Sequence, residues 1–413
     1  MNLPVHFDFI PYPVWRRRGL TPLRSALRGV STAGVDGHPP ATPAQMAHYL
    51  TRWDILPYGM NSVAARDALA ASQPPLVEAP LASAAASFEG PIRLPAQWEP
   101  LEAVLLTWPI LYPPLWSAHA EMAEAISAVA RVDILVTDAQ WASAIALFLE
   151  RRGTIRLDQV RFVHMPVDDI WVRDYGPFVG FRDDGTRAAV DASYHPLEAY
   201  PSAQDDVVPQ RYGALMHMPV RVLNIRTEGG NFWSDGRGTL LMTHGLFARN
   251  PHLSREEVLR RLREAFRYEK LVLVDPVWSE GTGHVDLVLK LAGARTVLLN
   301  APSMPFNRAR LEKARALLQG ETNAVGEPYR VIELPTLAPY LNWGVYAIWR
   351  SYTNSLTVNG RVLVPVFRAA QDEQVLALYK SAMPEHEIIP IDCSKAANGG
   401  GAVHCLTKEI AKG

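Results

Sequence analysis

The sequence predicts an α/β fold built from a recurring strand–strand–helix–strand unit. Two observations carry this expectation. Turn glycines at 238, 293 and 360 each open an apolar strand: Gly238-Thr-Leu-Leu-Met, Gly293-Ala-Arg-Thr-Val-Leu-Leu and Gly360-Arg-Val-Leu-Val. Each is followed by a stretch with helical spacing and then by a short buried strand, and strands alternating with helices define the α/β class. A unit that recurs along the chain suggests pseudo-symmetric modules around an axis. Such modules bring their inner ends together, so motifs distant in sequence can meet at the centre.

Residues 1–88 differ from the rest. They are rich in Pro, Ala and Ser, with Pro39-Pro40, Pro74-Pro75 and the run Ala82–Ser87. Helices are expected at 43–52 and 62–72, within an accessory segment and linker ordered only in part. A catalytic domain is expected from 89 to 413. Leu101–Trp108 reads as a strand ending in Trp-Pro, and Leu115–Arg131 has apolar residues at helical spacing. Val132–Val136 is a strand. A helix follows from Asp138, a good N-cap, to Gly153, a good C′ residue, and Gln159–His164 is a strand. In the later units the helices are Ser254–Phe266, with a Ser254…Glu257 capping box, Asn307–Leu318 and Ala370–Ser381. Their closing strands are Leu271–Val274, Arg330–Leu334 and Glu387–Ile391.

Composition narrows the function classes. The 413 residues are 48% hydrophobic with a formal net charge of −1, which argues against nucleic acid or an anionic membrane as the main partner. No apolar run approaches the length of a membrane span. Trp15-Arg-Arg-Arg18 is not followed by an apolar region, so no signal peptide is read, and a twin-arginine signal would lack its hydrophobic half. Two cysteines cannot form a disulfide framework, so a reducing, cytoplasmic setting is the expectation. Homo-oligomerisation stays open.

The chemistry-bearing stretch lies near the C-terminus, Asn398-Gly-Gly-Gly-Ala-Val-His-Cys405. Glycines in series cost entropy and suit a backbone that turns tightly or lets a ligand approach. A thiolate nucleophile carried on this loop is one reading; a buried inert cysteine is the other. Three further polar sets stand beside glycine at strand ends: Asp168-Asp-Ile-Trp-Val-Arg-Asp174, Glu228-Gly-Gly-Asn231 and Gly283-His284-Val-Asp286. His284 and Asp286 are expected to alternate along a strand and share a face.

Together these residues suit a guanidinium. It is planar, cationic and rich in N–H donors. Carboxylates hold it by charge-assisted hydrogen bonds, and an aromatic face can stack on it. Asp174 and Asp286 supply carboxylates and Trp171 a face. Cys405, its pKa lowered by a His284 imidazolium and by the bound cation, would attack the central carbon. His284 would protonate departing ammonia and later deprotonate water, with Glu228 orienting it. The intermediate is an S-alkylthiouronium and the product a ureido group. Trp98, Asp169, Arg173 and Asn231, inside or beside these motifs, are the further substrate-binding candidates.

Trp171-Val-Arg-Asp174-Tyr-Gly-Pro, Glu228-Gly-Gly-Asn, Thr282-Gly-His-Val-Asp286 and Gly-Gly-Gly-Ala-Val-His-Cys405 resemble the motifs of the agmatine deiminase and bacterial-type peptidylarginine deiminase family. Pro95-Ala-Gln-Trp98-Glu-Pro resembles its opening, and Ser351-Tyr-Thr-Asn-Ser-Leu-Thr-Val-Asn-Gly with Ile391-Asp-Cys its last module. The resemblance runs from Ile92 onward. It implies the pentein fold, five αβ modules about a pseudo-fivefold axis, with a Cys/His/Glu/Asp/Asp site and no metal or cofactor. It also implies hydrolysis of a small guanidino substrate. Tyr175 and Leu287 stand where agmatine deiminases carry Thr and Asn, and their Trp-Gly-Gly segment has no counterpart, so the substrate's tail stays open. An amidinotransferase with the same intermediate and a peptidylarginine deiminase are alternatives. So are a metal hydrolase ligated by His284, Asp286, Glu228 and Cys405, and a non-catalytic pentein binding module. Cys393 is expected in core or rim packing, the basic run Arg255–Arg267 on a solvated helix face, and His404 on the face opposite Cys405, without a catalytic part.

Overall fold

A hairpin, a helix and a returning parallel strand recur along the chain of this computed structural model. It describes residues 5–6, 71, 74–80, 85–110, 115–194, 202–302, 305–342 and 346–413. The helices expected at 43–52 and 62–72 lie outside these residues, Ala71 excepted.

The first unit pairs Phe178–Phe181 antiparallel with Arg187–Ser193, then adds Val220–Arg226 in parallel after the helix Val208–Leu215. The second pairs Trp233–Ser234 with Thr239–Thr243 and returns through the helix Arg255–Ala265 to Lys270–Val274. The third runs Leu289–Leu291, Thr296–Asn300, the helix Arg308–Gly320 and Arg330–Leu334. The fourth runs Leu356–Val358, Arg361–Val366, the helix Asp372–Ala382 and Glu387–Asp392. The middle strands contain unbroken apolar runs, Leu240–Met242, Val297–Leu299 and Val362–Val364, all buried. Such runs suit strands covered on both faces.

A fifth sheet joins distant parts of the chain. Leu101–Thr107, Arg131–Val136 and Val160–His164 are parallel, connected by the helices Trp116–Ser127 and Ala139–Arg152. Its antiparallel neighbour, the place a hairpin strand takes in the other units, is Thr407–Ala411 from the far end of the chain. Leu76–Glu78 adds the opposite edge beside Val160–His164, and Val5–His6 pairs with Leu341–Asn342 in a small separate sheet. Two strands from the N-terminal side of residue 88 are therefore built into sheets with the body. The molecule is a mixed α/β fold.

Local chemistry sets the element ends. The Asp138 side chain accepts from Trp141 N, and Gly153 closes that helix at φ 71°. Ser254 Oγ accepts from Glu257 N, but the Glu257 carboxylate goes to Arg260 and Arg261 rather than back to the cap. Units are tied edge to edge by side-chain amides. Asn359, in the turn between Leu356–Val358 and Arg361–Val366, accepts from Leu101 N and donates to Leu101 O and Val129 O. Gln97 Oε1 accepts from Thr357 N and from the buried Lys290 ammonium.

Ile410, fully buried in the closing strand, packs in the cluster with Ala103, Leu105 and Val179. Ile410→Ala is expected to cost about 2–5 kcal/mol, read as a lowered urea midpoint. An unchanged midpoint would mean that Thr407–Ala411 is not docked as described.

Candidate active site

Each of the five units places a short polar turn just before the strand that pairs antiparallel. Val172–Tyr175 precedes Phe178–Phe181, Gly229–Asn231 precedes Trp233–Ser234, and Val285–Leu287 precedes Leu289–Leu291. Residues 351–355 precede Leu356–Val358, and 401–406 precede Thr407–Ala411. Asp174, Glu228, His284, Asp286 and Cys405 lie in or beside four of these turns. The remaining one carries Asn354.

His284 lies between two carboxylates. Its Nε2 is 2.8 Å from Glu228 Oε2 and its Nδ1 is 3.6 Å from Asp174 Oδ1. Arg249 Nη1 holds the other Glu228 oxygen at 3.1 Å, and Gly230 N donates to Asp174 Oδ1 at 3.0 Å. A Cβ on Gly230 would meet His284 Nδ1 at 2.5 Å, so only glycine permits this approach. His284 and Asp286 do not alternate along a strand as expected. They flank and enter a 3₁₀ turn, Val285–Leu287, where spacing of two residues separates rather than aligns side chains.

Cys405 Sγ lies 3.7 Å from Asp286 Oδ2. Asn354 Nδ2 donates to Sγ at 3.0 Å, while its Oδ1 accepts from Ala402 N at 3.1 Å and Cys405 N at 3.2 Å. One amide thus holds both the thiol and the loop beneath it. A Cβ on Gly401 would meet Trp171 Cζ3 at 2.5 Å and Cys405 Sγ at 3.0 Å, which explains why glycine stands there.

Burial opposes a charge on His284, but Asp174, Glu228 and Asp286 together outweigh it and raise the imidazole to about 10. His284 is an imidazolium at neutral pH. Burial raises Asp286 to about 7, with His284 pulling down and Asp174 pushing up. Burial also raises Asp174, against His284. Burial first, then the Asp286 and Asp174 charges, push the Cys405 thiol well above its ordinary range, and the Asn354 hydrogen bond only partly opposes them. The lowered thiol expected beside an imidazolium is not found in this arrangement, because burial and the Asp286 and Asp174 charges all favour the neutral thiol. Among the described residues, no group of three His, Cys, Asp or Glu side chains is disposed to hold a metal ion.

Residues 93–410 match the model of the Porphyromonas-type peptidyl-arginine deiminase family. The chain belongs to that family. It is 30% identical to the agmatine deiminase of Pseudomonas fluorescens over 355 residues, 76% of this chain and 94% of that protein. The agmatine deiminase of Pseudomonas syringae pv. tomato is 28% identical over 356 residues, 77% of this chain and 95% of its own. The solved agmatine deiminase of Enterococcus faecalis superposes with a TM-score of 0.72 at 24% identity, over 79% of this chain and 100% of that one.

Within this peptidyl-arginine deiminase family chain, the other expected site residues divide. Trp171 stands against the Cys405 loop at Gly401. Arg173, expected among substrate contacts, is turned the other way: its Nε donates to His404 O at 3.1 Å and its guanidinium pairs with Glu409. Successive side chains of a helical turn point about 100° apart, so Asp174 and Arg173 cannot share a direction. Asn231 Oδ1 accepts from Thr243 N and fixes its turn to the end of the strand Thr239–Thr243. Asp169 accepts from Ile170 N beside Asp168 and Asp205, and Trp98 packs against the cluster of Trp233, Val285 and Leu289. Cys393 is buried in the core.

Two residues of the site carried no assigned part in the sequence. Asn354 lies in the quoted Ser351-Tyr-Thr-Asn-Ser segment, and its position before a hairpin strand is the signal that could have singled it out. His404, expected on the face opposite Cys405, instead reaches Asp286: Nδ1 lies 2.7 Å from Oδ2, and the ring stacks on Trp233. The segment is a run of turns and not an extended strand, so alternation does not apply.

Asn354→Ala removes a hydrogen bond to the sulfur and two from the loop. Turnover is expected to fall about 10- to 100-fold, with a slower reaction of Cys405 with iodoacetamide. Wild-type rates in both assays would refute the positioning role.

Proposed function

We propose that this protein hydrolyses the guanidino group of a small agmatine-like molecule to a ureido group, releasing ammonia through a covalent intermediate on Cys405. The observation that carries the proposal is the convergence of a buried thiol and two buried carboxylates beside an imidazolium. Asp174 and Asp286 receive the guanidinium edge-on, and Trp171 offers a ring beside the nucleophile. Residues 89–413 are the catalytic unit in this reading, and its five sheets are the blades of a pentein ring. Agmatine deiminase activity in the relatives named above supports the substrate class.

The electrostatics suggest an order of events. The carboxylates that hold the thiol protonated are the groups that the guanidinium would neutralise. Binding of the cation therefore removes the repulsion against a thiolate. As the cation binds, the Cys405 thiol loses its proton to solvent. The sulfur then forms a bond to the guanidino carbon, and the C–N bond breaks as His284 gives its proton to the leaving nitrogen. The neutral imidazole next takes a proton from water, whose oxygen attacks the thiouronium carbon. Cleavage of the C–S bond returns the thiol and the ureido product. Glu228, itself held by Arg249, keeps the imidazole in place through both transfers.

Cys405→Ser is expected to release no ammonia from agmatine, free arginine, an arginine peptide or other small guanidines. Full activity in that variant would sink the mechanism. Asp174→Asn and Asp286→Asn each lose a charge-assisted bond to the cation, and kcat/KM should fall about 100-fold or more. Near wild-type values in both would mean that the clamp is misassigned.

Asp286 with its pKa near 7 must be ionised to bind the cation, so its protonation weakens binding. The acid limb of kcat/KM should then descend as pH falls through about 7. A flat profile from roughly pH 6 to 8 would contradict this role.

A further inference from the structure

His404 has a second nitrogen that the proposed reaction does not use. Nε2 is buried and has no hydrogen-bond partner among the described residues. Because Nδ1 donates to Asp286 and burial holds the ring neutral, Nε2 is an acceptor and gives no donor to an anion, so the donors must come from the rest of the wall. The ring forms part of the wall of a cavity of about 40 Å³, with Arg173, Lys408, Glu409, Phe178 and Trp233. A single water needs roughly 10–15 Å³ measured this way, so the space exceeds one water and suits one monatomic ion.

The wall carries unbalanced charge. Arg173 and Glu409 form an ion pair. Lys408 is left over: it is 2% exposed, and its ammonium lies 4.1 Å from the centre of the Phe178 ring. Among the described residues that ammonium makes no hydrogen bond, although it could donate three. The neighbouring Lys290 adds a cation and no balance, since its partners are Gln97 Oε1, Ser355 O and the Trp233 ring. Buried charge is costly unless it is paired, and an aromatic ring compensates an ammonium only in part. Burial, joined by the Arg173 charge, pulls Lys408 down to about 7 against the Glu409 and Asp174 carboxylates, so an anion would meet a charged ammonium below neutral pH.

We infer that this cavity binds one small monovalent anion of the halide class, held by the Lys408 ammonium with the Arg173 guanidinium beside it. The site lies behind the residues assigned to the reaction and is separated from Asp286 by the His404 ring. The inference does not rest on the proposed activity, and its tests read no turnover.

Thermal unfolding of the whole protein is measured at pH 6.5 in sodium chloride, sodium bromide and sodium gluconate at one ionic strength. Gluconate is too large for the cavity. Halides should raise the midpoint saturably by about 2 °C or more over gluconate. Lys408→Met, which keeps most of the stem and loses the charge, should abolish that difference. Equal midpoints of the wild type in all three salts would overturn the inference, as would an undiminished halide effect in Lys408→Met. Should that variant fail to fold, bromide-soaked crystals of the wild type decide the matter. An anomalous peak within reach of Lys408 Nζ is expected, and a cavity without one would overturn the proposal.

Discussion

Negative charge is held beside the sulfur with almost no water to screen it, and much of the site follows from that. Asp174 and Asp286 are raised by burial, and both in turn raise Cys405. Such a cluster is stable only if cations and donors surround it. The chain provides them in order. The His284 imidazolium is shared by Glu228 and Asp174, Gly230 N binds Asp174, the His404 ring binds Asp286, and the Asn354 amide binds the thiol. In the proposed reaction the Cys405 thiol stays quiet until a cation arrives, which would protect it from indiscriminate alkylation and oxidation.

Repetition of one local motif solves the assembly problem. A polar turn ahead of each antiparallel strand gives five chances to point a side chain at a common centre. Chemistry has been distributed among them unequally: carboxylate, carboxylate beside glycines, imidazole with carboxylate, amide, and thiol. The amides Asn359 and Gln97 and the ammonium of Lys290 bind one unit to the next through backbone groups. Small errors in unit-to-unit placement would otherwise accumulate into ångström-scale misplacement at the centre, where such a shift costs catalysis heavily.

Much of this was legible in the sequence, for identifiable reasons. Long apolar middle strands and capped helices such as Asp138…Gly153 are local signals, and local signals survive folding. The polar residues stood out because ionisable side chains beside glycine are hard to explain by packing alone. What failed was direction. Arg173 and Asp174 are neighbours in one motif, yet one faces inward to the imidazolium and the other pairs with Glu409 behind the loop. His404 was misread because alternation was assumed where the backbone turns. The partnership of Leu101–Thr107 with Thr407–Ala411 has no local signature, since its contacts span most of the chain. The same holds for the surplus of Lys408, which appears only once Glu409 is seen to belong to Arg173.

That last strand has a consequence for how the protein is made. Thr407–Ala411 completes the sheet that begins at Leu101, and the proposed nucleophile sits two residues before it. During synthesis the earlier units can emerge and fold on the ribosome in sequence. The first sheet must wait with an uncovered edge, and the carboxylates and imidazole must wait without their sulfur. A nascent or prematurely terminated chain would therefore carry no competent centre. In the proposed reaction, turnover must wait until the strand Thr407–Ala411 has been made and has paired with Leu101–Thr107.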